Sequence, residues 1–281
     1  MKQIPKQVKD FLVSHEEFEL KKSTQYDELL YTYPTPPLEK LGAYYESDDY
    51  ISHEDNAQGI MNKLYYWVKQ YNLKFKKDLF PVSKNKKLRT LDYGCGTGDF
   101  VQYLNRYNYD AYGLEPNPKA FALASKKNPA KIFRDSSLIL KEKFDVITLY
   151  HVLEHIPNLE EEINNIINAL SPDGKLFIAV PNYKSFDATY YKEYWAAYDV
   201  PRHLWHFSEK TIVGIFSQFG MVIESIYPLW FDSFYISLIS EKYKRNKLGF
   251  ITAPIIGLIS NLKACRTGEY SSKIYQITKK N

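Results

Sequence analysis

The stretch TLDYGCGTGDF ends an apolar run at Asp92 and Tyr93 and passes directly into Gly94, Cys95, Gly96 and Gly98. Glycines at alternate positions let a backbone turn tightly and approach a ligand with no Cβ in the way. A helix that follows offers its unpaired N–H groups to an anionic part of that ligand. Seventeen residues after Gly98, the sequence YGLEPNP sets Glu115 and Pro116 close to where a carboxylate accepts both hydroxyls of a ribose and repels a 2′-phosphate. The chemistry is nucleoside binding. The third glycine comes one residue earlier than in the G-x-G-x-x-G of dinucleotide dehydrogenases, so a nicotinamide oxidoreductase is the weaker reading. A third segment, FDVITLYHVLEHIPN, leaves an apolar run with Tyr150, His151, Glu154, His155 and Pro157. An imidazole with an unperturbed pKa near ~6.5 can take a proton from a hydroxyl at neutral pH. H-x-x-E-H is also a zinc-protease spacing, which needs a continuous helix and a third ligand; here it follows a strand and is broken by Pro157, so no metal is expected.

The glycine loop with Asp92 ahead of it resembles motif I of the class I methyltransferases that use S-adenosylmethionine, and H-x-x-E-H-x-P is close to the pattern of many small-molecule methyltransferases. The resemblance covers roughly residues 40–281. It implies S-adenosylmethionine as cofactor, S-adenosylhomocysteine as product, and cofactor contacts from Asp92, Tyr93, Gly94, Cys95, Gly96, Gly98, Glu115, Pro116, Tyr150 and His151. Family practice also places a polar residue against the adenine amino group near Asp135 or Ser136, with Leu138 as an alternative neighbour. The segment FDATYYKEYWAAYDVPRHLWHFSEKTI is similar to a Y-W-x-x-x-D-x-P-R-H-L-x-H-F stretch of a bacterial subgroup related to ubiquinone-biosynthesis O-methyltransferases. That resemblance implies substrate contacts from Tyr194, Trp195, Arg202 and His203. Trp205 and His206 have packing beside a Ser208 cap as their other reading. Arg202 and His203 are harder to place in a core, because Arg is rarely buried without a partner. The candidate bases, in order, are His155, His203 and His151. The function implied is methyl transfer to a small-molecule acceptor, with a hydroxyl oxygen favoured. A non-catalytic or nucleic-acid-directed protein that binds the same cofactor is the alternative. Related chains often begin with a cysteine-bearing zinc module; the first 56 residues here have no Cys, and no zinc is inferred.

These residues require a scaffold that brings strand ends together. After Leu88, short apolar strands alternate with helical segments, which predicts an α/β fold: a Rossmann-like, doubly wound, mostly parallel sheet of about seven strands. The expected strands are Arg89–Tyr93, Ala111–Leu114, Lys131–Phe133, Phe144–Leu149, Lys175–Val180, Met221–Tyr227 and a last one around Ser272–Thr278. The expected helices are Asp99–Arg106, Pro118–Lys126 behind an Asn117 cap, Leu159–Leu170, and Glu209–Gln218 between Ser208 and Gly220. Ile60, Leu64, Val68 and Tyr71 predict an amphipathic helix from Gly59 to about Leu73. The domain reading is a small irregular or short-stranded module over 1–56, a helix and linker over 57–86, and the cofactor-binding domain over 87–281. Two insertions interrupt that domain, at 182–207 and at 229–264, the second helical.

With 44% hydrophobic and 25% charged residues among 281, the chain is expected to fold rather than remain disordered. Two cysteines, Cys95 and Cys265, exclude a disulfide framework. A reducing, cytoplasmic setting is expected, with no membrane span. The net charge of +4 is unevenly placed: residues 241–281 hold nine Lys or Arg against two Glu. Such a run attracts nucleic acid, a membrane surface or an anionic substrate, or is a solvated face.

Overall fold

The computed structural model describes residues 4–45, 60–83 and 86–280. The expected boundary at 56 and the helix start at Gly59 lie outside the described residues. In chain order the elements are β1 (Gln7–Lys9), β2 (Glu17–Lys22), β3 (Leu30–Tyr33), α1 (Leu38–Leu41), α2 (Ile60–Asp78), β4 (Leu88–Tyr93), α3 (Asp99–Asn105) and β5 (Tyr109–Leu114). There follow α4 (Pro118–Lys127), β6 (Ile132–Phe133), α5 (Ser136–Ile139), β7 (Phe144–Tyr150), α6 (Leu159–Ala169), β8 (Leu170–Pro181) and α7 (Phe186–Tyr191). The chain closes with β9 (Trp205–His206), α8 (Glu209–Gln218), β10 (Met221–Pro228), α9 (Asp232–Tyr243), α10 (Gly249–Thr267) and β11 (Ser272–Lys279).

The main sheet has seven strands in the order β10-β11-β8-β7-β4-β5-β6. From β8 to β6 all pairings are parallel, while β11 runs antiparallel between β10 and β8. Apolar side chains leave the central strands on both faces, as a doubly wound sheet requires. One face packs Leu91, Ile147, Leu149 and Ile178 against α6 and α8 through Ile163, Ile166, Ile212 and Phe216. The other packs Val146, Phe177, Ala179 and Ile274 against Phe80, Phe100 and Leu104. The caps sit as the residue types dictate. Asn117 accepts from the N–H groups of Lys119 and Ala120, and Ser208 accepts from that of Thr211.

Three elements depart from the sequence reading. Helix α2 continues past Leu73 to Asp78, because Leu73, Phe75, Leu79 and Phe80 still find apolar partners on the sheet. Strand β8 begins at Leu170, which already pairs with Phe144 before the register shifts. The short N-terminal strands are not closed on themselves: β3 pairs with β9 through Leu30 with His206 and Tyr31 with Trp205. Residues 7–33 are thereby stitched to the 182–207 insertion in a four-stranded antiparallel sheet. No helix among the described residues is long and apolar enough to cross a membrane.

Candidate active site

The site forms along the carboxyl edge of the parallel strands, where adjacent loops of such sheets diverge. Leaving β4, the N–H groups of Gly94 and Cys95 both reach the carbonyl of Leu114 at 2.8 and 2.9 Å, which ties the loop to the end of β5. Gly94 has φ +73°, and a Cβ there would lie 2.4 Å from Val152 Cγ2. Only glycine lets the loop pass that closely under the segment following β7. Gly98, at φ +76°, caps α3, and the Asn128 amide donates to its carbonyl at 2.9 Å. Glu115 leaves β5 buried, its two carboxylate oxygens accepting from Gly96 N at 2.9 Å and Asn117 N at 2.8 Å. Burial is the largest influence on its pKa and raises it; those two N–H groups oppose the rise. Each oxygen keeps a further lone pair for a hydroxyl donor.

Asp92 lies beneath the loop, accepting from Thr148 Oγ1 at 2.7 Å. Burial raises its pKa to about 6 against the opposing pull of Thr148 and Lys76. Lys76, from α2, has its ammonium 4.0 Å over the ring of Tyr150 and within the field of Asp92 and Asp232. The Tyr150 hydroxyl is buried with no hydrogen-bond partner among the described residues. A half-buried cation, a buried carboxylate and an orphaned phenol side by side match a zwitterionic amino-acid group, so these residues fit the methionine end of S-adenosylmethionine.

The remaining loop positions divide by strand parity. Tyr93 turns to the opposite face, where its hydroxyl donates to Glu162 of α6. Cys95 turns its thiol inward against Gly113, and burial pushes that thiol's pKa up, so it stays protonated. Both can meet a cofactor only through their backbone. Pro116 is exposed beside Glu115. Asp135 is exposed and caps α5 by accepting from Ser137 N at 2.8 Å, with Ser136 partly buried beside it.

Beyond β7 the segment H-x-x-E-H is not a helix. His151 has φ +57°, and Leu153–His155 form a single 3₁₀ turn. His151 bridges two carboxylates, Nε2 lying 3.1 Å from Asp232 and Nδ1 3.5 Å from Glu154. Burial opposes a charge on His151, but the two carboxylates outweigh it and raise its pKa to about 10. Glu154 is 1% exposed, and neither carboxylate oxygen has a hydrogen-bond partner among the described residues. Burial would raise its pKa, yet the surrounding imidazoles, His151 first, hold it down at about 2. His155 goes the other way: burial, then His203, lower its pKa to about 4, and the ring is neutral.

His203 stacks edge-on to His155 with centroids 4.6 Å apart. Its Nδ1 lies 2.9 Å from the Ala197 carbonyl, and Nδ1 of His155 lies 3.0 Å from the Arg202 carbonyl and 2.9 Å from Tyr45 Oη. A carbonyl oxygen only accepts, so each Nδ1 carries a proton, and the lone pair of the neutral His155 ring resides on Nε2. Glu154, His155 and His203 present one ligand-type atom each within 4.8 Å of one another. Ligands about 2.0–2.2 Å from a tetrahedral ion stand roughly 3.4 Å apart, and His203 Nε2 lies 3.9 Å from Glu154 Oε1.

The structure therefore joins His151, Glu154, His155 and His203, and separates them from the other residues expected at the substrate. Trp195 is 2% exposed and donates through Nε1 to buried Asp187 at 2.7 Å, within an apolar cluster that holds the insertion together. Tyr194 packs on Phe11 of the N-terminal segment. Arg202 is 1% exposed, and Nε, Nη1 and Nη2 go to Asp199, the Tyr44 carbonyl and Asp10. The objection that Arg is rarely buried is met by two carboxylates, the half-buried Asp199 and the fully buried Asp10, the latter 192 positions away. Trp205 donates to the Ile156 carbonyl at 2.8 Å, and buried His206 hydrogen-bonds Thr32 Oγ1 at 3.0 Å, which is the packing reading. Lys76 and Asp232 are absent from the sequence reading. A helix extended to the Pro81 breaker would have brought in Lys76; nothing local distinguishes Asp232.

A family model described as a methyltransferase domain matches residues 65–226, more than half of the chain. The ubiquinone biosynthesis O-methyltransferase of Pelagibacter ubique is 32% identical over 104 residues, covering 34% of this chain and 43% of that protein. The Rhodopseudomonas palustris (strain TIE-1) enzyme of the same name is 26% identical over 122 residues, covering 40% and 48%. The chain thus spans about half the length of the curated relatives it matches. In fold it is similar to the cyclopropane synthase MmaA2 of Mycobacterium tuberculosis, with TM-score 0.55 and 14% identity over 88% of this chain and 100% of that one. A domain match of that extent, seated on this sheet and this glycine loop, makes the chain a member of the methyltransferase-domain family, class I and dependent on S-adenosylmethionine.

Proposed function

We propose that the protein transfers a methyl group from S-adenosylmethionine to a hydroxyl oxygen of a small-molecule acceptor. When bound, the cofactor supplies a methyl carbon on a sulfonium, already activated for displacement. The chain's own residues mainly position. Glu115 accepts from the ribose hydroxyls, Lys76 and Asp92 take the carboxylate and ammonium of the amino-acid end, and Asp135 or Ser136 receives the adenine amino group. Holding nucleophile and methyl in line is worth ~7–11 kcal/mol, so the base is a secondary contributor.

The observation that carries the reading is the neutral His155, its Nε2 unprotonated, beside the buried Glu154 and His203, on a segment that lies against Gly94. With the methyl carbon passing from the sulfonium to the acceptor oxygen and the carbon–sulfur electron pair remaining on the neutral thioether product, the hydroxyl proton would go to Nε2 of His155, and the Glu154 carboxylate would stabilise the imidazolium that results. Such general-base help contributes ~10²–10⁴-fold. His203 supports it from the edge. His151, already protonated between Asp232 and Glu154, is unsuited to accept a proton; it holds Glu154 in place. The O-methyltransferase relatives support an oxygen acceptor.

The test is methyl transfer from labelled S-adenosylmethionine into cell extract and a panel of hydroxylated compounds. His155→Ala should lower turnover below roughly a tenth with cofactor affinity unchanged. Full turnover in that variant removes His155 from the role, and incorporation confined to nitrogen or carbon acceptors overturns the oxygen assignment.

A further inference from the structure

Helices α9 and α10 carry their side chains inside out. They pack closely on each other: a Cβ on Gly257 would lie 2.9 Å from Phe234 Cα, and Ser233 Oγ donates to the Gly257 carbonyl at 3.1 Å. Their buried positions are mostly small or polar, with Ser233, Ser237 and Ser240 on α9 and Gly249, Ala253, Gly257, Ser260, Asn261 and Ala264 on α10. Large apolar residues point outward. Phe250 is 69% exposed, Leu262 60%, Leu258 52%, Ile255 51% and Ile251 49%, all within one continuous arc of α10. A surface helix of a globular protein shows the reverse order. Small residues between helices with large apolar ones outside is the arrangement of helices whose outer face meets lipid.

From residue 242 to 268 the charges have one sign. Lys244, Arg245 and Lys247 are exposed in the turn joining the helices, and Lys263 and Arg266 are exposed near the far end of α10. Residues 242–268 contain no Asp or Glu. Nineteen residues make α10 about 28 Å long, but no helix here qualifies to span a bilayer, so it would lie in the interface plane. Exposed aromatics adjoin the start of α9. Phe231 packs edge-on against Trp67 and Tyr71, which are 56% and 41% exposed, and amphipathic rings of this kind favour headgroup level. The first residue of α9 is Asp232, 3.1 Å from His151 in the candidate site.

We propose that the outer face of α9 and α10 docks on an anionic lipid surface, which sets the candidate site beside the membrane. A second copy of the chain is the poorer occupant. A two-fold contact through this face would bring together two rims that, over residues 242–268, carry cations and no carboxylate, whereas an anionic bilayer neutralises them. The docking stands whether or not the methyl-transfer reading does.

The experiment is sedimentation of the full chain with phosphatidylcholine vesicles, with and without phosphatidylglycerol. The protein should pellet with the anionic vesicles, less so as salt rises. The double variant Ile255→Glu, Leu258→Glu, altered only at exposed positions, should lose roughly tenfold or more of that binding with its melting temperature kept. Lys244→Glu with Arg245→Glu should do the same. Wild-type protein that stays in the supernatant with anionic vesicles overturns the proposal, as does vesicle binding indifferent to both double variants. A dimer on gel filtration that the first double variant converts to monomer, without vesicle binding, assigns the face to a second copy instead. Calorimetric binding of S-adenosylmethionine by the same preparations reports on the methyl-transfer reading separately.

Discussion

The cofactor side and the acceptor side of the site are built by opposite means. On the cofactor side, the seven contiguous residues from Asp92 to Gly98 and one carboxylate just past the neighbouring strand form a loop whose shape follows from glycine φ angles and a few backbone hydrogen bonds. On the acceptor side, Glu154 and three histidines come from two segments about fifty residues apart, and a buried Arg202 joins that insertion to Asp10 in the N-terminal segment. The first kind of site is stable to distant change and sensitive at its own residues. The second depends on ion pairs that never approach the ligand.

That contrast is broken most directly at Arg202. Arg202→Leu should cost about 3–5 kcal/mol in denaturant unfolding, because it removes the cation that pairs with buried Asp10 and with Asp199, while the folded fraction keeps its affinity for S-adenosylmethionine. An equal loss of cofactor affinity would join the two halves. Conversely, Glu115→Ala should weaken cofactor binding by about 1.5–3 kcal/mol, roughly 10- to 150-fold, with little change in the acceptor-side ion pairs. Calorimetric titration measures it, and unaltered affinity would remove Glu115 from the ribose.

The acceptor side should also dominate the dependence of stability on pH. Folded His155 and His206 remain neutral down to about 4 and 3, burial being the main cause, whereas the unfolded chain takes up those protons near 6.5. Stability therefore falls as pH drops below 6.5. His151 acts with the opposite sign. Its folded pKa of about 10 contributes stability that is complete below 6.5 and is lost as pH rises through 10. The melting temperature should pass through a maximum near neutrality, and His151→Gln should flatten the alkaline side; a profile identical to wild type would contradict the Asp232–His151–Glu154 bridge. The smallest effect is expected from chelation. Dialysis against a chelator should leave turnover unchanged, and a loss restored by a divalent ion would make Glu154, His155 and His203 ligands rather than an acid–base cluster.

How legible each half was follows from the same difference. The parallel strands were visible to within a few residues because each is a short apolar run bounded by turn chemistry, and the Asn117 and Ser208 caps announce their helices. The glycine loop is written in consecutive residues. Arg202 and Trp195 were misplaced for a reason that no local pattern removes: their partners Asp10 and Asp187 are known only once the chain is folded. Lys76 lies in the last turn of α2, beyond the apolar spacing of Ile60, Leu64, Val68 and Tyr71 that predicts the helix. His155 is in a local motif, but its neutrality is not legible there, since that depends on burial beside His203.

The account rests on the loop over Asp92 and the carboxylate of Glu115 holding an adenosine-bearing sulfonium. Isothermal titration of the purified chain with S-adenosylmethionine addresses it without knowledge of the acceptor. A saturable, one-site heat that Glu115→Ala weakens is the predicted result; no heat and no shift in melting temperature at millimolar ligand would contradict it.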